Sequence, residues 1–141
     1  MYKDIRAWLI AIRNRRRRLL AEQGDADAQF RLGQMYYLGW GVSQDYEEAR
    51  KWYRKAADQG HAEAQLLLGV MYDNGWGVLN DNVTAHMWFS VASANGSYAG
   101  ADNRKKIEEK MTPAQMSQPK PLQPEFRRGH CRPSQQNRLV L

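Results

Sequence analysis

The residues of this chain best suited to chemistry are three histidines, one cysteine and a run of arginines. His61 and His86 have no repeated carboxylate or cysteine partner at the spacing that closes on a metal ion. Both read as structural residues, one near a helix start and one on a helix. His130 and Cys131 adjoin each other in a proline-broken tail. Ser43 has only Gln44 and Asp45 beside it, so it lacks the neighbouring base that activates a nucleophile. Gly39-Trp40-Gly41 has neither a preceding strand nor a third glycine, and it reads as a helix stop, not a phosphate loop. The expectation is a protein with no catalytic residue, no cofactor, no metal and no small-molecule substrate. The exception to this chemical silence is Arg13-Asn14-Arg15-Arg16-Arg17-Arg18. Its five guanidinium groups can meet the phosphates of nucleic acid or an anionic membrane, and Trp8, Leu9 and Ile12 beside it suit an interfacial helix. The competing reading is a solvated helix face, or one docked on an acidic surface.

The elements around these residues come from a repeat. Residues 21–56 and 57–92 align without a gap at 18 of 36 positions, where chance gives about two. Such a period predicts a solenoid of helical hairpins, which works by presenting a surface. In the first helix of each hairpin Ala28, Leu32 and Tyr36, and then Ala64, Leu68 and Tyr72, recur every four residues along one stripe facing the paired helix. Gly33 and Gly69 interrupt these helices, where glycine costs about 1 kcal/mol against alanine; both positions call for a helix crossing at close range. Gly39-Trp40-Gly41-Val42 and Gly75-Trp76-Gly77-Val78 stop the helix. Asp45 restarts it as an N-cap, with Glu48 completing a capping box, and Asp81 does so with Thr84 in that place. The second helix buries Ala49, Trp52, Tyr53 and Ala56, and in the next repeat Ala85, Trp88, Phe89 and Ala92.

The pattern AxAQxxLGxxYxxGxGVxxDxxxAxxWYxxAA, written twice across residues 21–93, resembles the Sel1-like repeat, a relative of the tetratricopeptide repeat. The resemblance implies an all-α, right-handed α/α solenoid and a role in protein–protein interaction. Tryptophan fills the usually variable place between the loop glycines twice. Trp40 and Trp76 are therefore secondary candidates for partner contact, against the reading that each covers the edge of the neighbouring hairpin. Some cysteine-rich Sel1-like proteins are linked to penicillin binding, which makes a β-lactam-binding or hydrolysing role a remote alternative. Other secreted members staple hairpins with cysteine pairs that this chain lacks. With no secretory signal and no long apolar run, the expectation is a cytoplasmic protein, or a periplasmic one if the start lies upstream.

The net charge of +6 is unevenly spread. Residues 1–20 hold seven basic residues and one acid, residues 118–141 five and one, which leaves nine basic and thirteen acidic residues for 21–117. Five units are expected. Residues 1–20 form a basic capping helix whose Ile5, Trp8, Leu9, Ile12, Leu19 and Leu20 cover Ala28 and Leu32. Repeats occupy 21–56 and 57–92, and a degenerate third repeat at 93–116 closes the stack. Thr112-Pro113-Ala114-Gln115 is a strong helix start, yet Pro119, Pro121 and Pro124 bar a helix behind it. The basic tail 117–141 is read as disordered, or as the product of a frameshift.

The partner expected is a protein or peptide. On the side of each first helix opposite the packing stripe lie Asp27, Phe30, Gln34 and Tyr37, then Glu63, Leu66, Val70 and Asp73, and in the third unit Asp102 and Lys106. By resemblance to tetratricopeptide proteins these line a concave groove. Phe30, Tyr37, Leu66 and Val70 would form an apolar strip rimmed by acids, free to lose its rings without loss of fold. Nucleic acid or an anionic membrane, contacted through Arg13, Arg15, Arg16, Arg17 and Arg18, is the alternative.

Overall fold

The computed structural model describes residues 2–118, a succession of seven helices with no strand among them. These are α1 (Tyr2–Glu22), α2 (Ala26–Leu38), α3 (Tyr46–Asp58), α4 (Ala62–Asn74), α5 (Asn82–Ala94), α6 (Tyr98–Glu108) and the short α7 (Pro113–Ser117). Helices α1 to α6 each pack chiefly on their chain neighbours, so the chain is a solenoid of repeated helix pairs, α2–α3 and α4–α5. The expectations for residues 119–141 lie outside the described residues.

Backbone chemistry sets the hairpins. Gly39 (φ 72°) and Gly75 (φ 70°) end α2 and α4 in the left-handed conformation, and their amides bond Met35 and Met71. That conformation strains any residue with a Cβ, which explains the glycine. Asp45 caps α3 by accepting the Glu48 amide at 3.1 Å. The expected capping box does not form there. The Asp45 amide is already donated to the Tyr36 carbonyl, and Glu48 turns to Lys51 at 3.0 Å. The box at Thr112 does form, and it supports the single turn of α7.

The helices approach closely around rings. A Cβ on Gly33 would stand 2.6 Å from the Tyr53 ring, and one on Gly69 2.5 Å from the Phe89 ring. Ala49, Tyr53 and Ala56 of α3, and Ala85, Trp88, Phe89 and Ala92 of α5, are buried. Trp52 is only half-buried, with Lys55 Nζ 4.4 Å above its ring. Met35, Met71 and Ile107 hold one further repeated core position.

The N-terminal cap departs from expectation. Helix α1 meets α2 through Ala21, which joins Ala28, Leu32 and Met35 in one cluster. Ile5, Trp8, Leu9, Ile12, Leu19 and Leu20 do not cover that cluster and stand exposed. The side of α1 turned to the solenoid carries the partly buried Asn14 and Arg17 instead, with Asn14 lying against Gly41. Alanine at position 21 lets the helix backbone in where the bulky stripe would not fit.

Gly69→Ala should lower stability by on the order of 1–2 kcal/mol, because overpacking against Phe89 outweighs the gain in helix propensity. Urea unfolding followed by circular dichroism measures it; an unchanged midpoint would show that the crossing has room to spare.

Candidate functional site

The sides of α2 and α4 and the α5–α6 turn enclose a cleft of about 560 Å³. Phe30 and Gln34 contribute from α2, Glu63, Leu66 and Leu67 from α4, and Asn95, Gly96, Ser97 and Tyr98 from the turn and the start of α6. An adjoining depression adds Asp27, Arg31 and His61. Apolar side chains form the floor, and the exposed carboxylates of Asp27 and Glu63 stand at the rim.

The local fold explains each position. His61 is the N-cap of α4, where Nδ1 accepts the Ala64 amide at 3.2 Å. Its Nε2–H therefore faces Asp27 Oδ1 at 3.1 Å, and its ring stacks on Phe30 with centroids 4.5 Å apart. His61 is thus a structural bridge between repeats. Phe30 is only 8% exposed and also meets Tyr53 at 5.7 Å. It is floor as well as core, which corrects the expectation that it could be removed without loss of fold. Truncating a buried phenylalanine costs about 3–5 kcal/mol.

The other expected groove residues separate. Tyr37 lies half-buried between Tyr46, Tyr53 and Trp76 at 5.3, 6.2 and 6.0 Å. Burial, and then the neighbouring Tyr46, raises its phenol pKa. Val70 sits against the Ala85–Phe89–Ile107 cluster, and Asp73 is bound by Lys110 at 3.3 Å. Asp102 and Lys106 are exposed on α6, outside the cleft lining. Trp76 stacks on Tyr46 at 5.7 Å with the planes 14° apart, so it serves packing. Trp40 is different. At its place Ile10 stands where Tyr46 supports Trp76, and the indole is 65% exposed in a notch with Arg13, Asn14 and Arg17.

Two buried glutamines escaped the reading of the sequence. Gln29 donates to the Ala21 carbonyl at 3.0 Å and accepts from Gln59 at 2.8 Å. Gln65 repeats this with Ala57 at 2.9 Å and Asn95 at 2.9 Å. The available signal was an identical amide beside Ala28 and Ala64, where solvent-facing neighbours drift between repeats. Tyr98, at the cleft mouth and 90% exposed, was also missed, since nothing aligned with it is aromatic.

The arginine run has few partners. Arg18 donates to the Tyr36 hydroxyl at 3.0 Å. Among the described residues no carboxylate pairs with Arg13, Arg15, Arg16 or Arg17, so no ion pair ties the run to the acidic repeats. The Arg17 guanidinium pKa is lowered by burial first, then by Arg13 and Arg31. No group of three metal-binding side chains occurs among the described residues, and no described helix is long and apolar enough to cross a membrane.

Residues 26–61 and 62–97 each match the sequence profile described as Sel1 repeat. No curated protein matches the chain. Among solved structures it is similar to a protective antigen of uropathogenic Escherichia coli strains that displays an SLR fold (42% identity, TM-score 0.70). It is also similar to a Sel1 repeat protein from Oxalobacter formigenes (36% identity, TM-score 0.68). The matches cover 71% and 70% of this chain but 22% and 41% of those proteins, so the chain spans less than half the length of either.

Tyr53 is fully buried, and its hydroxyl has no hydrogen-bond partner among the described residues. Phe89 holds the equivalent place in the next repeat. Tyr53→Phe should therefore raise stability by about 1 kcal/mol, since an unsatisfied buried hydroxyl is removed. Burial raises the folded-state phenol pKa above its usual 10.0. Ionisation thus favours the unfolded chain, and the wild type loses stability as pH climbs past that value. The variant should lose less over that range in urea titrations; a destabilised Tyr53→Phe would show that the hydroxyl has a partner.

Proposed function

The chain belongs to the Sel1 repeat family, whose members are generally protein–protein interaction scaffolds, and on that premise we propose that it is a non-enzymatic adaptor for a peptide segment. The cleft between α2, α4 and the start of α6 is the observation that carries this reading. Its Phe30 and Leu66 floor suits one apolar side chain of the partner. Its rim carboxylates suit lysine or arginine on either side of that anchor. Charge at the rim speeds encounter and selects partners, while the apolar floor supplies residence time.

Phe30 lies in the core, so the test falls on exposed rim residues. Selection from a displayed peptide library on the immobilised protein should enrich an apolar residue flanked by basic ones. Glu63→Lys combined with Tyr98→Ala should weaken the selected peptide at least about tenfold, or about 1.4 kcal/mol. The melting temperature should stay near that of the wild type, because both side chains are exposed. Unchanged affinity in that variant would place the site outside the cleft.

A further inference from the structure

Among the described residues, helix α1 has an apolar face without a partner. At 100° per residue, Ile5, Trp8, Leu9, Ile12 and Leu19 fall within an arc of about 100°. They are 45–61% exposed. Asn14, Arg17 and Ala21, the side chains that lose exposure among residues 4–22, lie on the opposite side. The apolar arc therefore points away from the solenoid. Arg6 and Arg13 border one edge, Arg15 borders the other, and Arg16 lies within it.

We propose that the outward face of α1 seats in the headgroup layer of a bilayer that contains anionic lipid. Charge selects this occupant. Residues 1–20 hold seven basic residues against one acid, so two copies of α1 laid face to face would repel. Shape selects it too. Helix crossings within this fold carry a small residue where the backbones meet, as at Gly33 against Tyr53, Gly69 against Phe89 and Gly100 against Ala92. The outward arc of α1 has neither glycine nor alanine, and large flexible side chains suit a fluid layer better than a close-packed helix. Nucleic acid would engage the arginines and leave Trp8 and Ile12 in water. A bilayer engages both sets at once, with guanidinium groups on lipid phosphates and the indole at the level where tryptophan concentrates. Among the described residues no helix can cross a membrane, so the helix lies along the surface.

The full chain, sedimented with sucrose-loaded vesicles at about 150 mM salt, tests this. Partitioning onto phosphatidylcholine vesicles containing about 30% phosphatidylglycerol should exceed that onto phosphatidylcholine alone at least about tenfold. Trp8→Gln with Ile12→Gln, and separately Arg15→Gln with Arg16→Gln, should each reduce it about tenfold. Circular dichroism should not change, since these side chains are exposed. Brominated acyl chains should quench fluorescence in the wild type and much less in Trp8→Phe. Absence of partitioning would overturn the proposal. So would vesicle binding that survives loss of Trp8 and Ile12, which is the purely electrostatic behaviour nucleic acid would share. A dimer dissolved by the same double variant, with no vesicle binding, would assign the face to a second copy.

Discussion

The stack of repeats depends on a buried amide that must be satisfied from two sides. Gln65 is fully buried in α4, and a buried primary amide without partners costs several kcal/mol. It meets that demand by donating back to the last turn of α3 and accepting forward from Asn95 beyond α5. Three successive segments are thereby fixed to one side chain. Gln29 does the same for α1, α2 and the residue after α3, and Gln59 also reaches the Gly24 carbonyl at 2.9 Å. Apolar contact alone would allow neighbouring hairpins to slide; hydrogen bonds of fixed length set their spacing. The cleft inherits that spacing, because its two walls are consecutive first helices and its end is the turn that holds Asn95.

The two ends of the solenoid solve termination in different ways. At the C-terminal end, polar groups replace the packing residues of the repeat and find partners. Glu108 stands where Tyr72 stood one unit earlier, and its carboxylate lies 2.7 Å from His86 Nε2 in α5. Lys110 reaches back to Asp73, and Ile107 fills the repeated methionine position. The N-terminal end does not close in this way. Helix α1 occupies the place of a second helix, docks through Ala21, and turns its bulky face outward. The cleft proposed for a peptide and the α1 face proposed for a lipid surface thus lie on separate parts of the solenoid.

The fold was legible because its determinants are local and written twice. Two glycine-bounded loops, two aspartate caps and paired aromatic and glycine positions leave little choice of architecture. Legibility fails where a residue's role depends on the next repeat. Phe30 and Tyr37 fall on the expected side of α2, but they are covered by His61 and Trp76, each brought in by a helix or loop about thirty to forty residues on. Periodicity gives the direction in which a side chain leaves its helix, not what stands there. For the same reason the apolar stripe of α1 was legible as a stripe, while its orientation was not. Amphipathicity shows that a face seeks cover, and only packing shows that Ala21 brought the other face inward.

The glutamine relay is tested most directly by a double-mutant cycle. Gln65→Ala, Asn95→Ala and the pair are unfolded in urea, and the coupling energy is read from the four stabilities. A relay that spaces the hairpins predicts a favourable coupling of about 1 kcal/mol or more. Additivity within about 0.5 kcal/mol would contradict it, and would mean that apolar packing sets the spacing without the amides.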